Sequence, residues 1–135
     1  MTIREALAAQ LTATTGVVYH TADRIYPVFA PEVTPTDPFQ PTVVYSMAGR
    51  VREHDLEADG ALDVSTWAVI AMATDPDTPH AITDAAIAAL DGFIGDLGPG
   101  YTVQQVVFRD AQDSDAFAEL GIYAVASTFE ITAQV

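Results

Sequence analysis

The chain contains no cysteine and no lysine. Without cysteine there is no disulfide, no thiolate nucleophile and no sulfur-built zinc site, and a reducing compartment suits it. Without lysine, five arginines carry all the permanent positive charge against 19 acids, a net charge of −14 over 135 residues. Such a surface repels phosphate, which argues against nonspecific grip on DNA or RNA and against anionic membranes. Solubility, or a genome or habitat that disfavours lysine, would account for this balance. The sharper reading is a surface that DNA must pass without sticking. Long apolar runs are missing too. The richest, WAVIAMA at 67–73, is far too short to span a bilayer. The opening MTIREALAAQL has no apolar core of the kind signal peptides carry, so no leader is expected. There is no G-x-G-x-x-G and no phosphate-loop lysine, and GDLGPG at 95–100 reads as a helix-ending turn.

Half of the residues are hydrophobic, enough for one real core, and the length suits a single domain spanning 1–135. Residues 2–15 read as a helix. Thr2 and Glu5 make a possible capping box, Ile3, Leu7 and Leu11 form one stripe, and Gly16 suits its end. Residues 23–29 look extended. Pro31, Pro35, Pro38 and Pro41 then deny 30–41 regular structure, leaving an exposed loop that carries Phe39. Strand patterns follow at 42–53 and 61–73. In the second, Leu62, Val64, Thr66, Ala68, Ile70 and Met72 fall on one face and Trp67, Val69 and Ala71 on the other. Its later half is apolar on both faces, which predicts a central, covered strand. After DPDTP at 75–79, Thr78 and Pro79 suit a helix start, and Ile82, Ala86, Leu90 and Phe93 form its stripe. Residues 101–110 are extended, 111–119 read as an acidic loop, and 120–135 form a last strand with Tyr123, Val125, Phe129 and Ile131 on one face. The pattern predicts an α+β fold: an antiparallel β-sheet of about four to five strands packed by two α-helices.

Few residues invite chemistry. In HDLEADG at 54–60, Asp55, Glu57 and Asp59 alternate ahead of Gly60, as at the start of a calcium loop. The twelfth position of that template needs a bidentate Glu and here holds Thr66, and the flanks are strands rather than helices. The stretch therefore reads as a solvated hairpin tip with Asp59-Gly60 in its turn. His20, His54 and His80 stand at loop or helix ends without a nucleophile elbow or a paired histidine, and no serine has the G-x-S-x-G context. No catalytic, cofactor or metal site is assigned. Trp67, on a central strand, fits core better than a stacked ligand. Phe39 has two open readings, a contact for a partner or a lid on a core edge.

The whole order of elements resembles the tail-completion proteins related to the tail terminators of long-tailed phages. The resemblance rests on DRIYP at 23–27, PTVVYS at 41–46, LDVSTWAVI at 62–70, ITDAAIAAL at 82–90, VVFRDAQDS at 106–114 and STFEITA at 127–133. It implies a structural subunit of the virion, at the head-proximal end of the tail, and not an enzyme. Such subunits form a homo-oligomeric ring, commonly a hexamer, that caps the tail tube. Their partners are the major tail tube protein and the head–tail connector, with DNA passing through unbound. On that reading Phe39 is an assembly contact, and Asp55, Glu57 and Asp59 are acids of the channel or its rim. A neck protein bound to the head connector and a small α+β ligand-binding domain are the alternatives, with an enzyme last.

Overall fold

The computed structural model describes residues 2–22, 24–27, 40–54, 61–97, 101–114 and 118–134. Three helices lie on one face of a five-stranded sheet: α1 (Ile3–Ala13), α2 (Thr15–Thr21) and α3 (Asp77–Leu90). The main-sheet strands are β1 (Ile25–Pro27), β2 (Thr42–His54), β3 (Ala61–Ala73), β6 (Gln105–Ser114) and β7 (Tyr123–Gln134). Their order is β1-β2-β3-β7-β6. Two short strands, β4 (Gly95–Asp96) and β5 (Thr102–Val103), pair separately, and Ala118–Leu120 is a 3-10 turn. The expected α+β architecture with a mostly antiparallel sheet is present, and β3 is its centre.

Several boundaries differ from the sequence reading. The first helix is two. It closes at Ala13, and Thr14 is extended before α2 begins. The capping box forms as expected: the Glu5 amide donates to Thr2 Oγ1 at 3.2 Å, and the Thr2 amide donates to Glu5 Oε2 at 3.0 Å. Gly16 does not end α1 but lies inside α2. There a Cβ would sit 2.7 Å from the Cβ of Ala85 on α3, so glycine is required for the close approach of two helices. At α3 the helix opens at Asp77, with Thr78 and Pro79 already inside it. Asp75 does the capping, accepting from the Thr78 amide at 2.9 Å and the Thr78 hydroxyl at 2.8 Å. These bonds hold the Asp75 carboxyl below its ordinary range. β6 continues through Ser114, so the first four residues of the expected acidic loop, 111–114, are strand. β1 runs parallel to β2, which the hairpin pattern did not foresee.

Alternation decides the core. Trp67, Val69 and Ala71 of β3 face the helices together with Val43 and Tyr45 of β2 and Phe129 and Ile131 of β7. Leu7 and Leu11 of α1, Val17 of α2 and Ile82, Ala86 and Leu90 of α3 close over them. Trp67 is 1% exposed, its indole N–H donates to Ser65 Oγ at 2.9 Å, and the Arg4 guanidinium lies 5.4 Å from its ring centroid. A smaller cluster of Val44, Met72, Ile122 and Ala124 occupies the opposite face. Tyr123 shares the phase of Val125 and Phe129 but stands 51% exposed at the start of its strand.

Both neighbours of the central pair carry a β-bulge. β2 shifts register between Met47 and Gly49, β6 between Phe108 and Asp110. An extra residue reverses which side chains point up, so Arg50 rather than Gly49 joins Asp63 and Ser65 on the helix face. Gly49 was the only hint of this in the sequence.

Trp67→Ala should cost about 3–5 kcal/mol, because it empties the largest fully buried volume in the core. Urea unfolding monitored by circular dichroism measures this. Gly16→Ala should cost about 1–3 kcal/mol by overpacking the α2–α3 contact, and adding Ala85→Gly should return part of the loss. A Gly16→Ala protein as stable as the parent would show that the helices separate freely.

Candidate functional site

Phe39 and the three acids Asp55, Glu57 and Asp59 lie outside the described residues. The strands on either side of the acids do pair as a hairpin, His54 opposite Ala61. Among the described residues, no three His, Asp or Glu side chains come together as a metal ion would need. His20 sits in the last turn of α2, edge-on to Tyr19 with ring centroids 4.9 Å apart. His80, in the first turn of α3, reaches Asp113 of β6 with Nε2 3.0 Å from Oδ1, both side chains well exposed. The two histidines serve different ends of the helix layer.

Among the described residues, the most enclosed charge is Asp63. Its side chain is 10% exposed and takes a forked contact from Arg50, with Nε 2.8 and 3.0 Å from the two carboxylate oxygens and Nη2 closing on Oδ2. The carboxylate raises the guanidinium's already high pKa. Tyr101 stands near this pair, and its phenol is pushed up first by burial and then by the charge of Asp63. The group lies on the helix-facing side of the sheet; its charges are matched, and the neighbouring Ser65 hydroxyl is engaged by the Trp67 indole. On the opposite face Arg109 pairs with Glu130 at 2.9 Å.

The sheet edges carry more information than any cluster. β1 covers β2 only from Val43 to Tyr45. Beyond that, no described strand pairs with the outer edge of β2. β6 is covered at its other half: Val106 donates to the Phe93 carbonyl at 3.1 Å and accepts from the Gly92 amide at 2.8 Å, and the Phe108 amide donates to Asp91 Oδ1 at 3.0 Å. The turn after α3 thus occupies the start of β6 and stops at its bulge. Exposed apolar side chains stand both at these edges and away from them: Met47 at 44% on β2 and Ile94 at 75% just after the turn that covers β6, then Leu120 at 72% before β7, Tyr123 at 51% at its start and Tyr19 at 82% on α2. Periodicity did not single them out, since Tyr123 is in phase with the core.

No protein-family model matches the chain, and no curated protein does. Among solved structures, a chain described as "Virion of native gene transfer agent (GTA) particle" matches with a TM-score of 0.72 at 15% identity, covering 98% of this chain and 95% of that one. The two share a fold over essentially their whole lengths.

Arg50→Ala should destabilise the protein by removing the forked guanidinium contact from the enclosed Asp63 carboxylate, and Asp63→Asn added to it should recover part of the loss. A denaturant double-mutant cycle measures the coupling; additive losses would show that the pair does not act as a unit.

Proposed function

We propose that the chain is a structural subunit of a tailed, phage-like particle, a tail terminator that closes the tail tube as a ring and presents the surface for joining the head. The observation that carries this is the whole-length fold likeness to a virion chain. The resemblance of the element order to tail-completion proteins supports it. So does the character of the described surface, where no charged cluster forms a metal site and two sheet edges are covered for only half their length by described residues. A cyclic ring needs two different patches on each subunit, joined head to tail.

On this reading the tail tube protein and the head connector are the partners, and the hexamer is the expected ring. Phe39 is a contact within the assembly. Asp55, Glu57 and Asp59, repeated once per subunit, make the channel or its rim repulsive to DNA. Self-repulsion at −14 per subunit opposes assembly, so salt should favour it.

Electron microscopy and light scattering of the concentrated protein at moderate salt should show closed rings with a central hole, which add to purified tails before heads attach. A protein that stays monomeric at every concentration and on tails would overturn the proposal; rings that bind heads alone would place it at the neck. Rings carrying Asp55→Asn, Glu57→Gln and Asp59→Asn should retain DNA at low salt and release it as salt rises.

A further inference from the structure

The two open edges belong together. We infer that the half of β2 that no described strand covers in one copy pairs antiparallel with the corresponding half of β6 in the next, with Asp113 opposite Arg50 of the neighbouring copy, so that one sheet runs on from subunit to subunit. This rests on the ring reading above and specifies its contact.

The backbone argument comes first. Val43 donates outward to the Arg24 carbonyl. In an antiparallel pair, outward and inward residues alternate. Tyr45 and Met47 of β2 therefore also point their backbone groups away from β3. Across the bulge the alternation resumes with Arg50 and Arg52. Val106 points outward on β6 by its bonds to Gly92 and Phe93. Phe108 follows, and past the second bulge so do Ala111 and Asp113. Each of these groups, left unpaired in an assembly, would cost free energy.

Chemistry selects the mate. β2 climbs and β6 descends within the sheet, so copies related by rotation bring them together antiparallel. Arg50 and Asp113 are both outward-pointing, and both lie on the helix face: Arg50 reaches Asp63 there, and Asp113 reaches His80. Two residues of one class on one face are what a directly opposed pair requires. The Arg50 side chain is 51% exposed and Asp113 79%, so each can take a second partner across the seam beside the one it already has, Asp63 for Arg50 and His80 for Asp113. In a chain of 19 acids, two of five arginines fall on this stretch of β2. On the facing stretch of β6, Asp113 meets Arg50 while the same register sets Asp110 opposite Glu53, so the charge match of the seam rests on the Arg50–Asp113 pair.

Sterics select the register. β1 blocks the start of β2, and Asp91–Phe93 blocks the start of β6; the blocked halves lie at opposite ends of the sheet. Copies in line would collide at both places. Setting Asp113 against Arg50 slides the neighbour from the row of Ala71 to the row of Ser65 on β3, about 20 Å along the strands. The repeat across β2, β3, β7 and β6 is about 19 Å. A closed ring then tilts its strands about 45° to the axis, at the steep end of what closed sheets adopt.

The absence of native cysteine makes the test direct. The same register sets Ala111 opposite Arg52, about 5.5 Å apart at Cα, within the range a disulfide spans. Inside one copy these positions stand three strands apart, about 14 Å at the least, and cannot join. Arg52→Cys and Ala111→Cys proteins, mixed and oxidised, should give a covalent dimer that neither gives alone. The double variant should give a series of linked species ending at the ring. A disulfide dimer from either single variant alone would mean a two-fold contact and overturn the inference. Rings seen by microscopy in the double variant without linkage would overturn the inference and leave the proposed function standing. Neither rings nor linkage would overturn both.

Discussion

One row of positions crosses the sheet at its middle, Met47 beside Trp67, Trp67 beside Phe129, and Phe129 beside Phe108. The indole and the Phe129 ring are almost wholly enclosed, and Phe108 packs on Phe129 with ring centroids 5.7 Å apart. Burial of Trp67 and Phe129, the middle of this row, under the helices is the favourable term on which the rest depends. Both outer strands bulge directly after it. A bulge bends its strand and increases local twist, so two bulges at one level turn the sheet around the helix layer. The helices can then cover a single face. The same bend reverses side-chain phase in β2 and places Arg50 against Asp63 on the helix-facing side.

Covering one face with three short helices demands close packing between them. α2 has only seven residues and cannot hold its shape alone. It is held because Gly16 lets it touch Ala85, and because Arg24 ties its end to the sheet, donating from Nη2 to the His20 carbonyl at 3.1 Å and from Nε to the Pro41 carbonyl at 2.9 Å. The parallel pairing of β1 with β2 follows from that tether, since the chain leaves α2 already beside the start of β2.

The strands were legible because their signals are local. β3 reads from alternation, and its limits at Ala61 and Ala73 match the pattern to the residue. The capping box at Thr2 was legible for the same reason. What escaped the sequence was set by distant partners. Gly16 looks like a helix end until Ala85 is placed beside it. The AQDSDAFAE stretch is acidic enough to read as loop, yet its first half is held as strand by β7. Thr78 has the chemistry of a cap, but Asp75 has the geometry. The bulges leave a trace at Gly49 and none at Arg109. The assembly surface was the least legible, because it is made of backbone groups whose exposure depends on which strand lies beside which.

Charge and edges act on the same problem from two sides. An open strand edge is a hazard in a soluble protein, and burying charge beside it or covering it are the usual protections. Here each edge is covered for half its length by the chain itself, and the other half carries Arg50 on β2 and Asp113 on β6, two charges of opposite sign on the same face. At −14, copies repel at long range. That repulsion disfavours indiscriminate edge-to-edge aggregation, because an unmatched contact gains backbone bonds without charge relief. A matched contact gains both. A strongly acidic subunit can therefore remain dispersed and still carry one seam at which its few arginines meet its many acids.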